Sequence, residues 1–404
     1  MVALEEVWEK IRDLAEPLEP IEVSLGEAVG LVLSEPVHAD VDLPPFDRAA
    51  AEGYAVRASE AQLGAFLRVI SPPDDSEPDY EYELDAGESA RVDRGAPLPV
   101  GADSVLAVGQ VRSDCGSSGP RVVEVIEPVG QRRHVAERGV LLRSGATLLP
   151  AGTRLTPTMV ALLASQGCIH PLCHRRVRVS ILAIGDHLVG PGEAPILYRE
   201  RNAANLAVSA LIQAAGGMVQ DIGCVSEADA DLALDRATNA PFVLILGEAT
   251  GGMLRRLARD GVEPIVSGLD FDPGESIQYG LMRDEQGFPV AHLLHLPLDP
   301  VAAVIGTALL ALPLLARLQG GDELGPVRLK ASWQGEPPAE PTRTTALPAI
   351  LSHTEDGRLV ARAVELRGHG DLPGLASANA VALLQPGNNP LVEVVPLGPI
   401  EPQV

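Results

Sequence analysis

The sequence predicts a multidomain α/β-plus-β protein, and three observations carry the prediction. Residues 177–318 alternate short apolar runs with helical patterns, as a mostly parallel sheet with crossover helices requires. Residues 40–150 instead string short apolar runs between Gly, Pro and Asp turns, which is the pattern of an inserted β-rich domain. After Gly320-Gly321 the chain turns β-rich again, giving a small C-terminal barrel or sandwich. The expected architecture is a three-layer α/β domain, the inserted β domain, a helical linker domain and a C-terminal β domain. Boundaries are placed at 1–42 with 136–175 for the linker, 43–135 for the insertion, 176–322 for the α/β domain and 323–404 for the last.

The elements follow in chain order. Leu4, Val7, Trp8, Ile11 and Leu14 share one face of a helix over 2–15. Pro44-Pro45 leads stiffly into a polar turn, and Glu52-Gly53-Tyr54 opens a strand, with Gly53 read as permitting a backbone angle other residues avoid. Ser71 to Asp79 reads as a mobile acidic loop. Thr156-Pro157 starts a helix that Gly167 stops. Strands are expected over Val177–Ile184, Met218–Cys224, Phe242–Leu246 and Pro264–Val266, and helices over Ala204–Ala215, Ala228–Ala237 and Leu254–Ala258. Val301 to Ala316 is nearly all apolar. At about 16 residues, with Pro313 inside it, the run is short of the roughly 20 a membrane span needs and reads as a buried core helix.

Composition narrows the function. The 404 residues are 46% hydrophobic but only 3% aromatic, so the cores must be aliphatic. Formal charge is 31 − 55 = −24, which excludes a basic nucleic-acid footprint and opposes an anionic membrane surface. Lys10 and Lys330 are the only lysines, so any oxyanion must be gripped by Arg or by backbone amides. Four cysteines make no disulfide framework, the N-terminus is no signal peptide, and a cytoplasmic location is expected. Cys168, His170, Cys173 and His174 offer four soft ligands within seven residues, yet their spacing matches no strong zinc pattern, and ordinary core and surface roles are favoured. His292, His295 and Trp333 default to packing.

Chemistry is expected at the strand ends. Gly247-Glu248-Ala249-Thr250-Gly251-Gly252 follows a strand and opens a helix, a ready anion cradle. Asp186, after Gly185, either caps the next turn or ligates a metal, capping being the commoner role. Asn202 is a helix N-cap candidate, and Asp299 stands before Pro300 as a cap for the apolar helix.

The segment from Leu43 to Arg57, with Arg94-Gly95-Ala96-Pro97, Pro150-Ala151-Gly152-Thr153, Gly185-Asp186, Gly368-His369-Gly370-Asp371 and Ser377-Ala378-Asn379, resembles the molybdopterin molybdenumtransferase family of MoeA and the gephyrin E-domain. The resemblance extends over essentially the whole chain and gives the α/β domain a molybdopterin-binding character. It implies a homodimer whose active site lies between the α/β domain of one subunit and the C-terminal β domain of the other. The implied reaction binds adenylated molybdopterin and molybdate with Mg2+, releases AMP and inserts molybdenum into the dithiolene. Catalytic positions carried over are Glu52 (usually Asp in the family), Asp186, Glu248 and Asp299, with Asp186 also the metal ligand. Ligand-binding positions are Gly95, Gly185, Asn202, Gly247, Thr250, Gly252, Arg255, Gly368, Gly370 and Ser377.

The chain departs from the family pattern at several turns. Met253 and Arg255 stand where the family has acids, and Glu248 replaces a Gly. His187 replaces Glu, and Arg201 a hydroxyl residue. Leu298-Asp299 replaces Gly-Asn, Asp272 and Glu275 replace two lysines, and Val140 and Leu141 replace two acids. Two readings stay open: a molybdenumtransferase with a rebuilt site, or a non-catalytic or repurposed protein of the same fold that binds a pterin or a nucleotide, scaffolds a partner enzyme or serves another pterin-linked pathway.

Overall fold

A computed structural model describes residues 1–70, 82–113, 121–248, 257, 261–335, 342–368, 370–387 and 390–402. The acidic loop expected over Ser71–Asp79 and all of the expected helix Leu254–Ala258 except Leu257 lie outside the described residues. The chain divides into two compact units: Met1–Glu35 with Ala151–Val160 and His170–Val404, and Pro36–Pro150 with Ala161–Ile169.

The smaller unit is built on a six-stranded sheet ordered Ser104–Ala107, Gly53–Val56, Glu88–Val92, Phe66–Ile70, Val122–Val125 and Val111–Ser113. Tyr54, Val56, Leu67, Leu106, Val123 and Val125 fill its main core. Gly53 corrects the sequence reading. Its backbone angle is unexceptional, but a Cβ would sit 1.9 Å from the Leu106 carbonyl oxygen of the neighbouring strand. Glycine is needed for close approach, not for a left-handed turn. The preceding turn is held by Asp42, whose carboxylate accepts from the Ser144 amide at 2.9 Å and the Arg138 Nε at 2.6 Å. Those partners, the Ser144 amide foremost, hold its pKa below the usual carboxylate value.

The larger unit holds a second six-stranded sheet. Its order is Met218–Val225, Arg178–Ile184, Phe242–Leu246, Pro289–Leu296, Gln278–Arg283 and Val262–Ser267. The first four strands run parallel, and the last two add antiparallel. Every residue of Phe242–Leu246 is buried, as a central strand covered on both faces requires. Alternate residues serve two cores. Ile181, Ala183, Leu244, Leu246, Leu294 and Leu296 pack on one face with the helices Leu4–Leu14, Ala204–Ala214 and Pro300–Leu318. Leu182, Ile184, Val243, Ile245 and Leu293 pack on the other with the helix Ala230–Ala237.

The C-terminal β region is a closed barrel rather than a sandwich. Leu359–Ala363, Leu329–Gln334, Leu391–Pro396, Ala380–Leu384 and Thr345–His353 pair in turn, and the last returns to the first. A short three-stranded sheet of Pro20–Glu22, Leu172–His174 and Val32–Leu33 completes the larger unit.

The 19-residue helix Pro300–Leu318 is long and apolar enough to cross a membrane, but 83% of its most apolar window is buried in the protein, as a core helix. Its middle, Thr307–Ala311, is a π-helical stretch. The reason lies in Pro313. Proline has no N–H, so the Leu309 carbonyl four residues earlier loses its α-helical donor. The Trp8 indole Nε1 supplies one instead, at 2.7 Å. Trp8 is 1% exposed, Gly325 lies flat against its ring, and the Arg328 guanidinium sits 4.9 Å from its centroid.

His292 and Tyr279 form a second buried pair. The Tyr279 hydroxyl and His292 Nδ1 share a hydrogen bond at 2.8 Å, with the rings stacked. Burial pushes the tyrosine pKa up and lowers that of His292 to about 4.

Two expectations follow. Trp8→Phe keeps most of the packing but strands the Leu309 carbonyl; urea unfolding should lose about 1–3 kcal/mol with an unchanged m-value. His292 is depressed in the folded state, so below pH 6.5 the unfolded chain takes up a proton that the buried ring refuses. Its contribution is present in full above pH 6.5 and is lost as pH falls toward about 4. Its share is roughly 3 kcal/mol. His292→Gln should therefore show a visibly flatter stability profile than the native protein across that window.

Candidate functional site at the strand carboxyl ends

The chain leaves the Arg178–Ile184 strand toward one edge of the sheet and the Phe242–Leu246 strand toward the other. A crevice at such a switch point, outside the carboxyl ends of the strands, is where open α/β sheets bind ligands. Four strand ends lie side by side there: Val225-Ser226-Glu227, Ile184-Gly185-Asp186, Leu246-Gly247-Glu248 and Leu296-Pro297-Leu298-Asp299.

Two glycines shape the crevice. Gly247 is buried, its amide donates to the Leu296 carbonyl at 3.1 Å, and a Cβ there would lie 3.3 Å from the Ile184 carbonyl oxygen. The Gly185 amide donates to the Val225 carbonyl at 3.0 Å, and a Cβ would press on His187. Side chains on both would close the space between the strand ends.

Asp186 is exposed, and its Oδ1 accepts from the Glu227 amide at 3.0 Å. It does cap the adjoining turn, while Oδ2 has no hydrogen bond among the described residues. His187 Nε2 lies 3.5 Å from Glu200, in a short parallel pairing of Leu188–Val189 with Glu200–Arg201. Asn202 is buried one residue before the helix N-cap, Ala203, and its Oδ1 accepts from the Asn205 amide at 3.2 Å, so it bonds into the first turn from just outside the cap position expected of it. Glu248 is exposed at the next strand end. Gly185, Asp186, Asn202, Gly247 and Glu248 are thus brought to one end of the sheet. Sequence reasoning missed Ser226 and Glu227, because the second strand was ended at Cys224. The strand-end rule alone would have found them.

Asp299 uses both oxygens. Oδ1 accepts from the Ala302 amide at 3.0 Å and caps the long helix, and Oδ2 accepts from the Gly370 amide at 2.6 Å in a barrel loop. Gly370 takes a left-handed backbone angle, φ +73°, and Gly368 one of +145°. Asp371, beside them, accepts from Arg367 and Gly374 amides at 2.8 and 3.0 Å; the Arg367 amide is the main cause of its lowered pKa. Ser377 is exposed just after this loop. Leu298, where the family has Gly, packs against the main core. Asp272 and Glu275, where the family has lysines, face Arg343 of the barrel at 4.0 and 2.6 Å.

His295 is 2% exposed beside Gly247, and burial lowers its pKa. Its Nδ1 faces the Ser276 carbonyl at 3.3 Å, and the Gly247 backbone near Nε2 favours protonation without forming a well-aligned hydrogen bond. His292 and His295 are core residues, as expected.

Glu52 and Gly95 belong to the smaller unit. Glu52 is half exposed and pairs with Arg91 at 2.9 Å, a surface contact worth at most about 1 kcal/mol. Gly95 takes φ +92° and donates to the Ala49 carbonyl. Thr250, Gly252 and Arg255 lie outside the described residues. Among the described residues, no group of three His, Cys, Asp or Glu could hold a metal ion. Cys173 is buried in its strand, and His174 Nδ1 donates to the Leu18 carbonyl at 2.9 Å.

Comparison with known proteins agrees with this geometry. The model of the MoeA N-terminal region, domains I and II, matches residues 2–167. A molybdopterin molybdenumtransferase of Nostoc is 28% identical over 381 residues, covering 90% of this chain and 85% of the relative. One from Haemophilus influenzae is 26% identical over 331 residues, covering 79% and 78%. Molybdopterin molybdenumtransferase 1 of Mycobacterium tuberculosis is 29% identical over 341 residues, covering 78% of each. A crystal structure of the molybdopterin biosynthesis MoeA protein of Pyrococcus horikoshii superposes with a TM-score of 0.78 at 24% identity, covering 98% of this chain and all of the other. The N-terminal model, the relatives matched along most of the chain and the shared fold agree: this chain is similar to MoeA proteins.

Proposed function

We propose that this protein acts in molybdenum cofactor biosynthesis as a molybdopterin molybdenumtransferase, working at the switch-point crevice. The observation that carries the reading is the pair of glycine-floored strand ends, Gly185 and Gly247, flanked by Asp186 and Glu248. The curated relatives bear that activity in their names. Adenylated molybdopterin and molybdate are the substrates in this reading. The two glycines let a phosphate-bearing ligand approach the backbone.

A Mg2+ ion, if used, finds no preformed protein cage among the described residues. The residues fit the other common arrangement, in which one or two carboxylates share the ion with substrate phosphates and water. Asp186, whose Oδ2 has no hydrogen bond among the described residues, and Glu248 are the residues that would hold it. When bound, the ion would neutralise charge on the phosphoanhydride as AMP leaves. In the same reading the protein is a cytoplasmic homodimer, and the partner's barrel completes the site.

The test is AMP release from adenylated molybdopterin, with molybdate and Mg2+, by the purified full chain. Release by the native protein, slowed about 10²-fold in Asp186→Asn without a change in fold, is the expected result. Tight binding without release would replace catalysis by a carrier role, and absence of binding would overturn the reading.

A further inference from the structure

At the opposite end of the central sheet, outside the amino ends of the parallel strands, lies a groove of about 790 Å3. Arg178, Met218, Pro241 and Val290 line it where those strands begin, and Ile21, in the strand Pro20–Glu22, lines its far side. Arg175 and Arg176 stand in the link between the two. The groove shares none of its lining residues with the strand-end site.

The three arginines are exposed, and among the described residues none has a carboxylate partner. Elsewhere in this chain of net charge −24, arginines such as Arg91, Arg138, Arg283 and Arg328 have their charge met by an acid. Arg176 and Arg178 are instead steadied by neutral carbonyls. Arg176 donates to Gly216 at 3.4 Å and Val29 at 3.5 Å, and Arg178 donates to Asn239 at 3.2 Å. A Cβ on Gly216 would lie 3.0 Å from the Arg176 Nη1, and its φ is +86°, so glycine is what lets the guanidinium rest there. These bonds leave the positive charge intact and further N–H donors free. Glu22 and Glu27 also line the groove, but neither pairs with an arginine, and Glu27 accepts from the Ser24 hydroxyl. Beside the cations stand three large apolar side chains: Ile21 at 45%, Met218 at 54% and Val290 at 48% exposure. Guanidinium forks suit oxyanions, and the volume lies within the range of small-molecule sites.

We infer that this groove binds a small amphipathic oxyanion, a phosphate ester whose charged group lies on Arg175, Arg176 and Arg178 and whose apolar body lies on Ile21, Met218 and Val290. Arg176 and Arg178, already steadied by carbonyls, lose little freedom on binding.

Calorimetric titration of the full chain with phenyl phosphate and with inorganic phosphate tests this. Phenyl phosphate should bind saturably and more tightly than phosphate. The double variant Arg176→Gln/Arg178→Gln should lose about tenfold or more in affinity for both probes. Met218→Ser should remove the advantage of the ring while leaving phosphate binding unchanged. The exposed positions keep the variants folded, which circular dichroism verifies. Absence of saturable binding to the native protein, or binding that both variants leave untouched, would overturn the inference. Capture of an acidic peptide with neither small probe bound would overturn it in favour of a protein partner. AMP release from the strand-end site should be unchanged in all variants, so either proposal can fail alone.

Discussion

A proline in a buried helix leaves a carbonyl that must find a donor, and in this protein one indole N–H meets the need. Leu309 lies four residues before Pro313 in the most deeply buried helix, and Trp8, 301 residues away in sequence, donates to it. An unpaired carbonyl in that position would cost a large fraction of what a domain has to spare. The bond therefore fixes the first helix of the chain against the main core. The same ring carries Gly325 on its surface and Arg328 near its face, where the chain enters the barrel. The helix it secures begins at Pro300, directly after its cap Asp299 at the strand ends.

Asp299 joins two further parts. One oxygen caps the helix, and the other holds the Gly370 amide of the barrel loop. Arg343 makes a second tie between the barrel and the sheet hairpin through Glu275 and Asp272. Where the family carries lysines and a Gly-Asn pair, this chain carries acids that are satisfied internally and a leucine that fills core space. These side chains make their contacts within the chain.

The charge distribution has a direction. Asp186, Glu200, Glu227 and Glu248 cluster at the carboxyl ends of the strands, while Arg175, Arg176 and Arg178 cluster at the amino ends. An anionic substrate at the acidic end needs backbone amides, a metal or a cation from another subunit. The basic end needs none of these to hold an oxyanion.

Local pattern determined much of this protein. Apolar runs of strand length, the helical face of Leu4 to Ile11, and Asp299 as a cap were all legible, because each depends on residues within a turn or two of one another. The burial of Val301 to Ala316 was legible from length and Pro313. Tertiary structure alone decided that Gly53 is needed for a neighbouring carbonyl rather than for its own backbone angle. It alone decided that the last β region closes as a barrel, that Ser226 and Glu227 join Asp186, and that Asp299 also serves Gly370. Those facts depend on which strands lie side by side and which faces are buried together. Periodicity tells a residue which side of its own element it is on; only packing decides what stands opposite.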